Sequence, residues 1–264
     1  MLAVAAFPAM AELDSEILLN EAKLIEVLQK AGTSDNDMVT ACQNLGWCGT
    51  RTAIAPLVTL LASEKPFLRH AARYGLEMIP DPAVETAFCE AAGRLTGPAL
   101  VGVLQSMGNR GNAKSVAILS ARMADPDRGV AEAATQSLGK LALPDAMAAL
   151  KAALGKNSDV ATAYLNGAGK IADVTKAAAC YADIRNTREN VEPGTRMAAL
   201  RGEIVALGDQ GLKLWEATIA SNDADTVDTA LRAALDFPKG EKATLIFAAA
   251  LAKVPSVQAR LAAV

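Results

Sequence analysis

Apolar residues recur along this chain at one helical spacing, and the spacing itself repeats. Counted from Gly46, positions 8, 11, 12 and 15 further on are Ile54, Leu57, Val58 and Leu61. These offsets lie on one face of a helix. From Leu76 the same offsets give Val84, Ala87, Phe88 and Ala91, and from Gly108 they give Val116, Leu119 and Met123 with Ser120 among them. Gly139 gives Met147, Leu150 and Leu154 with Lys151 intervening, and Gly169 gives Ala177, Cys180, Tyr181 and Ile184. Ile204 gives Leu212, Trp215 and Ile219, and Leu235 gives Ala243, Ile246, Phe247 and Ala250. Successive origins are 30, 32, 31, 30, 35 and 31 residues apart, which fits seven units with one insertion near 186–194.

A second helix precedes each origin. The stretches 98–107, 129–138, 160–168 and 196–207 read as helices, with Leu100, Leu104 and Met107 on one face and Leu200, Ile204 and Leu207 on another. Residues 12–31 carry Ile17, Leu18, Leu24, Ile25 and Leu28 and predict an opening helix, followed by a polar break from Gly32 to Asp37. Punctuation agrees with this division. Pro56, Pro82, Pro98, Pro144, Pro193 and Pro255 are expected mostly within first helical turns, where a missing N–H costs little. Asp81, Asp125, Asp145, Asp173 and Asp209 are expected to cap helix starts. Gly46, Gly108, Gly139 and Gly169 are expected at the tight corners within helix pairs. Independent helices of a globular bundle would not hold this phase. Stacked repeats would, because each buries its apolar face on its neighbours.

The resulting fold is all-α: a right-handed α–α superhelix of about seven helix pairs, with residues 12–264 as a single solenoid. The segment 126–154, PDRGVAEAATQSLGKLALPDAMAALKAAL, resembles a HEAT repeat, through Leu138-Gly139, Pro144-Asp145-Ala146 and Leu150. Residues 41–84 are similar to HEAT-repeat domains of verrucomicrobial and planctomycete-like bacteria, which are often exported. The resemblance covers most of residues 36–264. It implies an armadillo-like scaffold, but repeats of this kind serve unrelated systems and leave the function open.

Composition narrows the chemistry. Of the 264 residues, 52% are hydrophobic but only 4% aromatic, so alanine and leucine make up much of the core and few large side chains remain to wall a deep pocket. The net charge of −3 and the scattered basic residues disfavour a nucleic-acid partner. No apolar run is long enough for a membrane span. Residues 1–11, MLAVAAFPAMA, admit two readings. They are the tail of an export signal, which would place the protein in an exported or periplasmic compartment, or an apolar first turn on a cytoplasmic protein.

Four cysteines, Cys42, Cys48, Cys89 and Cys180, are too few for a disulfide scaffold. They read as small core residues, with a Cys42–Cys48 bridge as the alternative. His70 is the single histidine, so a histidine-rich metal site is excluded and no cofactor is implied. Asp125, Asp127, Gly129 and Glu132 depart from a calcium loop, which needs glycine at the sixth place, and read as a corner cap.

The most varied polar patch is His70, Arg73, Tyr74 and Glu77, which share a helix face. Two readings stand for it: a network tying adjacent repeats, or part of a partner-binding surface together with Trp47 and Arg110. The expected function is a non-enzymatic protein- or peptide-binding scaffold. The alternatives are a structural accessory domain cut from a larger exported protein and, more remotely, a groove-based lyase or DNA glycosylase.

Overall fold

The computed structural model of the chain describes residues 20–221 and 223–233, with 244, 245 and 248. The described residues form fourteen α-helices: α1 (Glu21–Gln29), α2 (Asp35–Cys48), α3 (Arg51–Leu60), α4 (Pro66–Met78), α5 (Ala83–Arg94), α6 (Gly97–Arg110), α7 (Ser115–Arg122), α8 (Arg128–Leu141), α9 (Pro144–Ala153), α10 (Ser158–Ala168), α11 (Val174–Asn186), α12 (Pro193–Leu207), α13 (Leu212–Ile219) and α14 (Ala224–Ala233). A single 3-10 turn, Gly208–Gly211, leads into α13. The fold is a HEAT-like solenoid of helix pairs. The chain divides into two compact units, residues 1–137 and 138–264.

The second helices of six units are α3, α5, α7, α9, α11 and α13, each carrying its periodic apolar residues inward. Leu57, Val84, Phe88, Leu119, Leu150, Ile184 and Trp215 are all buried. The four predicted first helices are α6, α8, α10 and α12. The seventh unit, the tail 256–264, Pro255 and residues 1–11 lie outside the described residues. The insertion is a loop of residues 187–192 between α11 and α12. It folds back onto the turn after α9, where the Asn190 side-chain amide donates to the Gly155 carbonyl at 2.7 Å. Asn190 takes a left-handed backbone (φ 49°), a conformation asparagine tolerates.

Three expectations about punctuation are corrected. Gly46, Gly108 and Gly139 are not at corners; they lie inside α2, α6 and α8, and Gly169 caps α10 in an ordinary right-handed conformation. The interior glycines serve close helix approach instead. A Cβ on Gly139 would sit 2.4 Å from the Ala163 carbonyl oxygen, and one on Gly108 would sit 2.7 Å from Ser137 Cβ. Pro56 is the sixth residue of α3, past the first turn, and forfeits a helical hydrogen bond there. Asp127 holds the N-terminus of α8, accepting from the Gly129 N–H at 2.8 Å, while Asp125 accepts from Asp127 itself at 3.0 Å.

In unit 1 the helices alternate between two rows, α2–α4–α6 and α1–α3–α5–α7. The most extensive of these packings is α2 on α4. Small residues permit it. A Cβ on Gly75 would be 2.5 Å from the Cys42 carbonyl oxygen, and one on Gly46 would be 3.2 Å from Met78 Cβ. The helix starts are also stitched across repeats. The Glu21 carboxylate in α1 accepts the Thr50 N–H at 2.6 Å and the Thr52 hydroxyl at 2.8 Å, standing at the electropositive start of α3.

Candidate functional site

The six residues singled out by sequence separate into two groups. Arg73, Glu77 and Arg110 turn toward neighbouring repeats. Arg73 donates to the Gly102 carbonyl in α6 at 2.9 Å, and Glu77 accepts the Asn109 side-chain amide at 3.1 Å. Burial lowers the Arg73 pKa from its ordinary value, and the Glu77 carboxylate opposes that effect.

Arg110 closes the end of α4. Its guanidinium donates to the carbonyls of Leu76, Glu77 and Ile79 at 3.1, 2.8 and 2.8 Å, satisfying acceptors that a helix C-terminus leaves open. It also meets Glu85 at 2.6 Å, with the two side chains only 12% and 5% exposed. Its fork is engaged within the fold. Arg73 and Glu77 therefore bond across repeats, and Arg110, grouped by sequence with the partner-binding surface, is engaged within the fold as well.

Trp47, His70 and Tyr74 point the other way. Trp47 is 69% exposed and Tyr74 39%. His70 is exposed beside Arg73, whose Nη2 lies 3.4 Å from His70 Nδ1. Two further residues complete the patch and were not singled out from the sequence. Phe67 is 47% exposed and Met78 40%. Phe67, His70, Tyr74 and Met78 follow one another along a single stripe of α4. Gly46 of α2 comes close to Met78 at the end of that stripe, and Trp47 is the next residue of α2. The signal available in the sequence was the same face extended one turn in each direction from His70 and Tyr74.

Charges bordering this face are already bonded. Lys65 pairs with Asp35 at 2.6 Å, and Arg69 donates to the Ser63 carbonyl at 2.7 Å. The exposed positions of α2 next to Trp47 include Gln43, and the corresponding surface of α6 carries Val101, Gln105 and Asn109. The face is thus aromatic and amide-rich.

All four cysteines are free thiols. Burial pushes the Cys42 thiol up to about 12, and the Cys48 and Cys89 thiols are also raised, chiefly by burial. No group of three or more His, Cys, Asp or Glu side chains able to hold a metal ion occurs among the described residues. Among them, too, no helix is long and apolar enough to cross a membrane.

Residues 98–165 match the HEAT repeats family. The match spans α6 through most of α10, and the same helix-pair packing continues on both sides of it. The X-ray structure of Escherichia coli YibA is similar in fold, with a TM-score of 0.52 at 14% identity, covering 97% of each chain. An engineered protein aligns at a TM-score of 0.40 and 16% identity, over 92% of this chain and 77% of the other. The complex of CpcE and CpcF of phycocyanin lyase from Nostoc sp. PCC7120 aligns at a TM-score of 0.39 and 19% identity, over 98% and 96%. None of the curated proteins is significantly similar to the chain. These likenesses concern the HEAT-like fold alone.

Proposed function

We propose that this chain is a non-enzymatic binding module that takes a protein partner on the α2–α4–α6 row of unit 1. The observation that carries the reading is the joint exposure of Trp47, Phe67, Tyr74 and Met78. Only 4% of the chain is aromatic, and the fold has an alternative use for such residues, since Phe88 is fully buried one helix away. Contiguous exposed apolar surface of this kind marks interaction sites, and Trp and Tyr dominate binding energies at interfaces.

The bordering cations Arg69 and Arg73 are both bonded to backbone carbonyls, which disfavours a polyanionic partner. The reading of a purely structural accessory domain gives those exposed side chains no task.

A photo-reactive residue placed at position 78, compared with one at the exposed position 216 in unit 2, tests the proposal. Discrete protein adducts are expected from position 78 alone, and they should disappear in a W47A/Y74A background that keeps its helical melting curve. Equal labelling from both positions would sink it.

A further inference from the structure

The exposed row has a register, and the register selects the chemistry of its occupant. Contacts advance together along successive helices. Cys42 meets Gly75, Gly46 meets Met78, Arg73 reaches Gly102, and Asn109 reaches Glu77. Ser137 donates to the Leu104 carbonyl at 2.9 Å in the same sense. The helices of this row therefore run parallel, with equivalent positions about one repeat apart. Residues 43, 74, 105 and 136, spaced 31 apart, are Gln, Tyr, Gln and Gln. Gln43, Tyr74 and Gln136 are exposed and Gln105 is half-buried. One turn further along, the equivalent positions are Trp47 and Met78.

The four ladder side chains are rich in donors and none of them is charged. The amides of Gln43 and Gln105, the Tyr74 hydroxyl and the Trp47 indole N–H can each donate, while the Gln136 amide is given to Glu132 at 2.9 Å, Arg73 donates to the Gly102 carbonyl and Glu77 accepts from Asn109. A charged segment laid here would lose hydration without gaining a counter-charge. An α-helical segment has its carbonyls already bonded and would leave the amides idle. A chain of open acceptors with few N–H groups is the complement, and proline supplies it.

The spacing agrees. Packed helices lie about 8–10 Å apart, and one three-residue turn of polyproline II advances about 9.3 Å. Same-side residues of a β-strand recur at about 6.6–6.8 Å and would fall out of step.

We propose that the occupant is an uncharged, proline-rich segment in polyproline II conformation, crossing α2, α4 and α6 at one turn per helix. Its rings stack on Trp47 and Tyr74, and its carbonyls accept from Gln43 and Gln105. Recognition of such segments by aromatic-lined grooves is a general mode. The proposal rests on the binding face argued above.

A fluorescein-labelled proline decamer, titrated into the full chain and read by anisotropy, is the test. A glycine–serine decamer and an alanine-rich helical peptide serve as controls. A saturable rise is expected with the proline decamer alone, weakened about tenfold or more by Y74A and about threefold to tenfold by Q105A. E216Q should leave it unchanged. No saturable rise, or equal binding of either control, overturns the proposal. Cross-linking from position 78 keeps the two readings apart. Adducts that form while the decamer neither binds nor competes leave the binding face standing and remove the proline-rich occupant. Loss of both removes both.

Discussion

In unit 1, Trp47, Phe67 and Tyr74 stand in solvent, whereas in unit 2 Tyr164, Tyr181 and Trp215 are turned to the interior. Trp215 is 1% exposed, packed among Leu200, Ile204, Leu212 and Ala230, and its indole N–H donates to the Ala230 carbonyl at 2.7 Å. Tyr164 is 2% exposed and donates to Asp183 at 3.0 Å, and Asp183 also pairs with Lys151. The Tyr181 ring lies over Gly202, 2.7 Å from where a Cβ would be. Burial, followed by neighbouring Cys180, raises the pKa of both tyrosines and keeps their hydroxyls protonated. Unit 1 thus buries Phe88 but keeps three aromatics at its surface, whereas the described aromatics of unit 2 are turned inward. The difference teaches that the repeat pattern fixes where apolar side chains go on the inward face and leaves the outward face open for function.

The sharpest way to break this comparison is to truncate both tryptophans. Trp215→Ala should cost about 3–5 kcal/mol in urea unfolding, because it removes a buried indole and its hydrogen bond to the Ala230 carbonyl. Trp47→Ala should change stability by about 0.5 kcal/mol or less, as exposed substitutions do, while abolishing partner adducts. A large loss of stability from Trp47→Ala would show that the outward aromatics are structural after all.

Arg110 sets the boundary between framework and surface within unit 1. Arg110→Met leaves the buried Glu85 carboxylate without its cation and opens three carbonyls of α4. A loss of about 3–5 kcal/mol is expected, as for breaking one partner of a buried pair. His70→Ala, one turn from Arg73 on the exposed side, should cost about 0.5 kcal/mol or less. Paired denaturation curves of the two variants read the contrast directly.

A smaller effect tests why the even row packs closely. Gly75→Ala pushes a methyl group against the Cys42 carbonyl and should cost about 1–3 kcal/mol. Gly93→Ala in α5 meets nothing within 4 Å and should stabilise by about 0.5–1 kcal/mol through helix propensity. Thermal melts with opposite shifts would confirm that glycine in this row serves packing, and equal shifts would refute it.

Much of this architecture was legible in the sequence because burial is periodic. Ile54, Leu57, Phe88, Leu119 and Ile184 could be placed on inward faces from spacing alone. The glycines were misread because a glycine near the end of an apolar stretch looks the same whether it caps a helix or lets another backbone approach. Only the neighbour, Ala163 for Gly139 or Cys42 for Gly75, decides between the two. The candidate patch was half legible. Spacing put His70, Arg73, Tyr74 and Glu77 on one helix face, but the length and reach of Arg73 and Arg110 carry them to carbonyls some thirty residues away, a partnership no local pattern encodes. Phe67 and Met78 were missed because hydrophobic residues at helix ends read as core until their surroundings are known.

The smallest expected effect concerns acidity at the first helix contact of unit 1. Burial would raise the Glu21 carboxyl pKa, but the Thr50 N–H and the Thr52 and Thr50 hydroxyls outweigh it and hold the group below its ordinary 4.5. A carboxyl depressed in the folded state binds its proton more readily when unfolded. Its stabilising contribution is therefore complete above 4.5 and is lost as the pH falls through the lower folded value. Glu21→Gln should be less stable than the parent at neutral pH, and the gap between their urea midpoints should close on acidification below pH 4.5. The Trp47→Ala variant should track the parent across the same range, because an exposed indole takes no part in holding α1 to α3. A gap for Glu21→Gln that stays constant with pH would mean that the carboxylate's charge is not what secures the start of α3.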